Sequence, residues 1–534
     1  MQSDVHAVEI VFLLLLFFVV AFGMLAKKLQ TPHPIVLVIG GLLLSFVPGI
    51  PKISLNPDIV FFVVLPPLLY SAAWLTSWRE FSHNLVSILL LAFGLVTFTV
   101  AGVSYACHWF LPGFDWRMGL VLGAVVAPTD AIAATSIANR IGLPKRIVDI
   151  LEGESLLNDA SALLALEFGL ALLTGGQRPT FSAGVLRLGL LVIGGALVGF
   201  VVGEIVHRVE HRIDDGPIEI ALSILTPYAA YLGAEAMHSS GVLAVVVCGL
   251  YLSRKSSHFF SANVRLQAWA VWESLTFILN GLVFVLIGLQ LPYVLETIRD
   301  LNLRTLLLYG AVFSAFIIVL RLLWIYPGAY LATFVRHKFL HQTEPTPTVR
   351  QIFVVGWTGM RGVISLAAAI AVPQVLHNGD AFPQRSIIIF LTFSVILVTL
   401  VLQGLTLPPI IRGLGLAGAS TNHPEEREAR RIVLEAGMAR LEELRSESDA
   451  AAAQLYEDLA RQYGRRLGAL HEVEPADGTV SDLEMFANLS RELMKTERQT
   501  AVRLRNQRRI NDEVLRTIEH ELDLLETRLA PKRG

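Results

Sequence analysis

Residues 121–138 read VLGAVVAPTDAIAATSIA, an apolar segment interrupted by Pro128, Thr129 and Asp130. Proline removes one helical hydrogen bond, so the sequence predicts a helix broken at this point with a free carbonyl before Thr129. Irregular backbone at membrane depth is tolerated where it lines a cavity, and its carbonyls can coordinate a small cation. The alternative is a simple kink in which Asp130 only caps the second half-helix.

The next apolar segment begins LEGESLLNDASALLAL at residues 151–166. Ser155 and Asp159 lie four residues apart and share one helical face. Glu154 and Asn158 share the neighbouring face. Carboxylate, hydroxyl and amide groups placed together form an oxygen-rich surface that suits a hard cation. We therefore predict that Asp159 carries either a cation or a proton, with the alternative that Asn158 and Glu154 only bridge helices.

Two arginines far along the chain are candidate partners for Glu154. Arg321 lies within the apolar run FIIVLRLLWIYP, where an unpaired guanidinium would be very unfavourable. Arg361 lies in VVGWTGMRGVISLAAAIAVP among three glycines, which loosen a helix. Its positive charge could hold a second helix break, although the glycine spacing also fits close packing of small residues between membrane helices.

Composition assigns the chain to the membrane proteins. Of its 534 residues, 54% are hydrophobic and 16% are charged, against roughly 25% charged residues in soluble domains. Residues 1–412 hold about thirteen apolar runs that could cross a bilayer, or twelve or fourteen if residues 217–253 are divided differently. Residues 413–534 are rich in Glu, Arg, Leu and Ala, which predicts a soluble helical tail with breaks near Ser448 and Pro475–Gly478.

The tail carries an amphipathic stripe, which favours a regulatory or oligomerisation bundle over a ligand-sensing domain. The net charge of −2 does not indicate nucleic acid as a partner. Both cysteines, Cys107 and Cys248, lie inside apolar runs, so the sequence indicates neither a disulfide framework nor a metal cluster. We predict no cofactor.

Charges around the first apolar run predict the orientation of the chain. Asp4 and Glu9 precede the apolar core of this run, whereas Lys27 and Lys28 follow it, which excludes a signal peptide. The short loops on the side of these lysines hold more Lys and Arg than the opposite loops. Basic residues remain in the cytoplasm, so we predict an outside N-terminus and a cytoplasmic tail.

The two unusual runs occupy matching positions. The first six and the last six spans are separated by one further span, so the two halves cross the membrane in opposite directions. The proline-broken run and the glycine-rich run are each the fifth of their half. Interrupted helices at matching places of inverted halves indicate a transporter site between the repeats. We predict an all-α polytopic membrane protein with two inverted repeats and two broken crossing helices.

Three segments together resemble the sodium/proton exchanger branch, the first branch, of the monovalent cation:proton antiporters in its bacterial type with a long tail. They are PTDAIA (128–133), EGESLLNDASALLA (152–165) and WTGMRGVISLA (357–367). The resemblance covers about residues 8–412. It implies a secondary active transporter, not an enzyme, that exchanges Na+, or alternatively K+ or Li+, for H+ across the plasma membrane. It also implies a role in intracellular pH and sodium homeostasis.

The resemblance implies a role for each residue of the site. Asp159 would bind the cation and the proton in turn. Asp130, Ser155 and the backbone carbonyl of Thr129 would complete the cation site. Asn158 stands where electrogenic relatives have a second aspartate, which implies electroneutral one-for-one exchange.

The resemblance also implies that Glu154 pairs with Arg321 and that Arg361 lies at the break of the twelfth helix. Members of the family function as homodimers with an elevator-like movement of a six-helix core. One departure concerns the third span, where many prokaryotic members have a glutamate near the ion. This chain has Ser71 in that segment, so the resemblance implies a preference for sodium and no more than that.

Two other classes of protein could use an acidic intramembrane cavity. An ion channel also combines acidic groups with broken helices. An intramembrane aspartyl protease could use Asp130 and Asp159. The sequence lacks the His-Glu-x-x-His and Gly-x-Ser-x-Gly patterns of other hydrolases and the motifs of intramembrane aspartyl proteases, which disfavours an enzyme.

Overall fold

The structure is a computed structural model, and its regular structure in the described ranges is helical, as predicted. The described residues are 2–48, 56–111, 113–173, 181–213, 215–259, 262–296, 302–342, 346–375, 384–418, 424–446, 453–471, 482–507 and a few isolated positions. They form two compact units, Met1–Thr421 and Asn422–Gly534.

Within the described residues, the first unit contains two short helices, Trp78–His83 and Leu291–Glu296, and thirteen longer helices, α1 to α13, two of which are broken into halves. Their bounds are α1 Gln2–Leu29, α2 His33–Leu44, α3 Pro57–Leu75, α4 Leu85–Phe110, α5a Trp116–Val126, α5b Ala131–Ile141, α6 Lys145–Leu173, α7 Phe181–Glu210, α8 Gly216–Ala236, α9 Gly241–Phe259, α10 Ala262–Leu289, α11 Leu303–Phe339, α12a Val349–Trp357, α12b Val363–Ala371 and α13 Arg385–Gly413. Every span predicted from the sequence coincides with one of these helices.

Within the described ranges, nine of these helices are long and apolar enough to cross a membrane, with α5 taken as a whole. Helix α2 has only 12 residues because a turn replaces the helix after Leu44. Helix α12 fails the length requirement because its break divides it. The expected polytopic architecture is confirmed, and residues 217–253, where the predicted count was open, form the two helices α8 and α9.

The packing of the helices reflects the two matching halves. In the first half α4 packs against α5a and α6, and in the second half α11 packs against α12a and α13. Helices α3, α4 and α13 each include one π-helical turn, at Val60–Val64, Leu90–Leu95 and Thr399–Gln403. Such turns are frequent at functional sites. The last of them faces the break of α12, as described below.

The outer surface of the first unit is apolar. On α7 the exposed side chains Leu190, Ile193 and Leu197 follow one another at helical spacing. A contiguous exposed apolar surface of this kind suits the hydrocarbon of a bilayer, which cannot hydrogen-bond polar groups. The unit therefore buries its polar groups inside, where they form the site.

The second unit contains three described helices, α14 Pro424–Ser446, α15 Ala453–His471 and α16 Asp482–Asn506. Helices α14 and α15 pack against each other, with Gly437 next to the ring of Tyr463. The predicted breaks near Ser448 and Pro475–Gly478 lie outside the described residues. The regulatory or oligomerisation role of this unit remains a prediction.

Candidate ion-binding site

The two broken helices cross at their breaks. Helix α5a ends at Val126, and α5b begins after Asp130, whose Oδ1 accepts a hydrogen bond of 2.8 Å from the backbone N–H of Ile132. The backbone N–H of Asp130 donates to the carbonyl of Met360 in the break of α12, also at 2.8 Å. This direct bond between the two irregular segments joins the inverted halves at the site.

The positively charged side chain of Arg361 lies at the crossing of the two broken helices. Its side chain is 1% exposed, and its Nε donates to the carbonyl of Val126 at 2.9 Å. It also donates to the carbonyl of Gly359, and its backbone N–H donates to Thr399 Oγ1 at 3.1 Å. Carbonyls at a helix C-terminus lack intrahelical partners and carry partial negative charge. The guanidinium therefore stabilises the open end of α5a, as expected for a residue at the break.

Glu154 and Arg321 form a buried ion pair. The two distances from Arg321 to Glu154 are 2.5 Å from Nη1 to Oε1 and 2.9 Å from Nη2 to Oε2, and both residues are 1% exposed. Arg321 also donates to the carbonyls of Gly356 and Val355, each at 3.1 Å. A bidentate pair of this kind fixes geometry as well as charge. It holds α6, α11 and the end of α12a together.

Thr129 connects this ion pair to the break of α5. Its hydroxyl donates to Glu154 Oε1 at 2.9 Å and accepts from Asn158 Nδ2 at 2.7 Å. The same amide nitrogen donates to the carbonyl of Thr129 at 3.3 Å. Asn158 is 1% exposed, and its Oδ1 has no hydrogen-bond partner. The break is thus fixed by side chains of α6.

A cavity of about 270 Å³ lies beside the crossing, with walls from α3, α5, α6, α10 and α12. Asp159 lines it, is 3% exposed, and forms no hydrogen bond or ion pair with any described residue. Ser155 lines it as well, and its Oγ accepts from the backbone N–H of Ala131 at 3.3 Å. The other polar residues along its wall are Ser71, Thr129, Asp130, Thr135, Glu152, Thr276, Asn280 and Ser365.

The structure separates the predicted site residues into two groups. Those that line the cavity are Pro128, Thr129, Asp130, Ser155 and Asp159. Those that do not line it are Glu154, Asn158, Arg321 and Arg361, which instead hold the backbone of the two breaks. Among the described residues that line the cavity there is no Lys, Arg or His.

Sequence reasoning missed five polar residues of the cavity wall, Thr135, Glu152, Thr276, Asn280 and Ser365. Glu152 lies three residues before Ser155 and seven before Asp159, so the helical period already placed it on the same face. Thr276 and Asn280 lie four apart on α10 within a long apolar run. Isolated polar residues are common in such runs, so their sequence carried no clear signal.

The cavity lies on one side of Asp159 along α6. Glu152, two turns closer to Lys145, lines it, whereas no described residue of α6 beyond Asp159 does. Ala162 and Leu166 follow Asp159 and are buried in an apolar cluster with residues of α4, α5a, α12b and α13. Access to Asp159 is therefore from the side of Lys145, and the other side is packed.

This arrangement defines a class of protein. Oxygen ligands at crossed broken helices suit a hard cation, and an access path on one side only is typical of alternating access. Within the described residues, no cluster of His, Cys, Asp and Glu could hold a metal ion as a resident centre. The fold and the site are those of a secondary ion transporter.

Comparison with known proteins identifies the family. A family model described as sodium/hydrogen exchanger, transmembrane, matches residues 13–413. An uncharacterised Na+/H+ exchanger of Mycobacterium tuberculosis, Rv2287, is 34% identical over 519 residues, which cover 96% of this chain and 94% of that protein. The chain belongs to the sodium/hydrogen exchanger family, a family of secondary transporters and not of enzymes.

Two further similarities agree with this assignment. A sodium, potassium, lithium and rubidium/H+ antiporter of Bacillus pumilus is 35% identical over 389 residues, covering 71% of this chain and 57% of that protein. The solved structure of the sodium proton antiporter MjNhaP1 from Methanocaldococcus jannaschii superposes with a TM-score of 0.61 at 19% identity. It covers 77% of this chain and 98% of that chain. The similarity to MjNhaP1 confirms the fold.

Proposed function

We propose that the protein exchanges one monovalent cation for one proton across the plasma membrane, with Asp159 as the carrier. The observation that carries this proposal is the setting of Asp159. It is a buried carboxylate without a hydrogen bond or ion pair to any described residue, and it lines a cavity whose charged side chains are all acidic. A carboxylate of this kind needs either a proton or a cation for its charge. The physiological role would be regulation of intracellular pH and sodium.

The cation would be bound by oxygen atoms around the crossing. Asp159, Asp130 and Ser155 line the cavity together with the segment that holds the Thr129 carbonyl. Asn158 would act indirectly, because its amide holds Thr129 and its side chain does not reach the cavity wall. On one side of the membrane, Asp159 would release its proton and bind the cation. On the other side it would release the cation and bind a proton.

Na+ is the cation that we propose first, with K+ and Li+ as further substrates. The family description names sodium, and the name of the Bacillus pumilus relative includes sodium, potassium, lithium and rubidium. Ser71 of the third span lines the cavity. It supplies a hydroxyl in the segment where many prokaryotic exchangers have a glutamate. A hydroxyl discriminates weakly among monovalent cations, since all of them accept oxygen ligands.

Exchange in proteoliposomes under clamped membrane potential tests this function. We expect saturable Na+-driven proton movement whose rate does not change with the potential, because one charge moves in each direction. Protons and Na+ would compete for one carboxylate. We therefore also expect the apparent KM for Na+ to rise by about tenfold for each pH unit by which the pH falls below the pKa of that carboxylate. Parallel series with K+ and Li+ give the selectivity. A rate that varies steeply with the potential, or unitary currents, would contradict electroneutral exchange and favour a channel.

The orientation and the assembly are also proposals. The basic residues of the loops support an outside N-terminus and a cytoplasmic tail. In sealed everted vesicles a protease should then remove the tail while the first unit stays intact. The resemblance to homodimeric exchangers supports a homodimer, which the mass of the protein in detergent would test.

Gly362 provides a further test of the crossing. A Cβ atom added to it would lie 2.3 Å from Asp130 Oδ2 and 2.6 Å from Asp130 Cβ, whereas the backbone angles suit any residue. Gly362→Ala should therefore displace Asp130 and lower the exchange rate by about 100-fold, since small displacements at a site have effects of this order. The measurement is Na+-driven pH recovery in everted vesicles at equal protein content.

Gly413→Ala is the matched control for this variant. No atom lies within 4 Å of a Cβ added at Gly413, near the end of α13. Its exchange rate should equal that of the unmodified protein. Full exchange by Gly362→Ala would show that the close approach of the two breaks is not required.

A further inference from the structure

Glu152 differs from Glu154, two residues further along α6, in its burial and in its contacts. Glu154 is 1% exposed and is fully paired through Arg321 and Thr129. Glu152 is only partly buried, lines the cavity, and forms no hydrogen bond or ion pair with a described residue. A carboxylate that stabilised helix packing would have such a partner. Glu152 is therefore directed to the contents of the cavity.

The position of Glu152 relative to Asp159 is fixed by α6. Seven residues at 1.5 Å each separate the two by about 10 Å along the helix axis, and both lie on the same face. Glu152 is nearer to Lys145, the side from which the cavity is accessible. A cation that enters from that side passes Glu152 before it reaches Asp159.

The charges of the cavity are of one sign. Its described lining contains Asp130, Glu152 and Asp159 but no basic side chain. The charged groups that interact with Glu152 electrostatically are Asp149 and Lys145, both on α6 and neither in the cavity lining. A cleft lined by one sign of charge between apolar walls concentrates the opposite ion. Of the two cavity carboxylates on α6, Glu152 is nearer to Lys145 and is less buried than Asp159.

We infer that Glu152 is a positioning residue for exchange that captures cations at the entrance of the cavity and raises their local concentration at Asp159. This inference rests on the proposed function. It assigns to Glu152 an effect on the apparent affinity for the cation and leaves the carrier step to Asp159. It also assigns this effect to one side of the membrane, the side of Lys145.

Glu152→Gln in the full-length protein tests the inference. We expect the apparent KM for Na+ on the Lys145 side to rise by about two- to tenfold, the range given by one unit charge about 10 Å away at intermediate to high dielectric. The maximal rate should change less than twofold. Because the attraction is between charges through water, added choline chloride should reduce the difference between the variant and the unmodified protein.

Two further variants separate charge in the cavity from other effects. Asp149→Asn removes the same charge three residues earlier, outside the cavity lining, and should change KM less than Glu152→Gln. Asn280→Asp replaces an amide by a carboxylate of the same shape on the part of the wall that α10 supplies. In the Glu152→Gln background it should restore part of the affinity for Na+. Failure of this rescue, together with equal effects of Asp149→Asn and Glu152→Gln, would overturn capture within the cavity.

The outcome also distinguishes this inference from the proposed function. If the unmodified protein shows no exchange, the proposed function is wrong. If it exchanges Na+ and Glu152→Gln has an unchanged KM at low ionic strength, only the role of Glu152 is wrong. A rise in KM on the opposite side of the membrane alone would likewise overturn the entrance role.

Discussion

Asp159→Asn is expected to abolish cation-driven proton exchange. The substitution keeps the size of the side chain and removes a carboxylate that is 3% exposed, lines the cavity and forms no hydrogen bond or ion pair with a described residue. An amide can neither release a proton nor balance the charge of a bound cation. In everted vesicles with an imposed pH gradient, Na+, K+ and Li+ should each give the signal of vesicles without the protein.

The control for this variant is again Asp149→Asn on the same helix. It removes the same charge at a position that does not line the cavity, so exchange should persist. Protein content and thermal stability of both variants should be compared, because Asp159 is buried among packed helices. Exchange retained by Asp159→Asn would contradict the assignment of the carrier, and Asp130 would then be the next carboxylate to test.

Glu154→Ala is expected to lower stability more than any other single substitution considered. Removal of one partner leaves the guanidinium of Arg321 buried without its carboxylate, which typically costs about 3–5 kcal/mol. Thr129 loses its acceptor at the same time. The apparent Tm in detergent should fall by about 10 °C, at roughly 2–4 °C per kcal/mol. The apparent affinity for Na+ in the protein that remains folded should change little.

Two comparisons test the cause of this loss. Glu167→Ala breaks an exposed pair with Arg187, and exposed pairs contribute only about 0–1 kcal/mol. The double variant Glu154→Met with Arg321→Met removes both buried charges, so part of the stability should return. A collapse of cation affinity with unchanged Tm in Glu154→Ala would show that Glu154 acts on the ion and not as a support.

The architecture was largely predictable because bilayer dimensions constrain it strongly. A helix must be apolar over about 20 residues to cross the bilayer, so each span is visible as a run in the sequence. The break of α5 was predictable from Pro128, and that of α12 from Arg361 among glycines. The exact length of α2 was not, because the helix gives way to a turn at Ser45, three residues before Pro48.

Part of the cavity wall was predictable from the sequence, but the geometry of the candidate site was less so. Spacing on α6 placed Ser155 and Asp159 on one face, and the structure brings both to the cavity. The same spacing could not show which neighbouring face is buried, so Asn158 was predicted beside the ion although it contacts Thr129 instead. The wall from α10 was not predictable, since the rotation of a helix about its axis depends on its neighbours.

The apolar packing beyond Asp159, with Ala162 and Leu166, has a consequence for the cell that contains this protein. Because the described residues on this side of Asp159 are apolar and buried, idle copies would not leak ions or dissipate the membrane potential. Each turnover would instead wait for a rearrangement of packed helices, which takes microseconds to milliseconds. At saturating sodium, the flux through a membrane would then be set by the number of copies and by temperature, because this rearrangement is slower than the diffusion of ions.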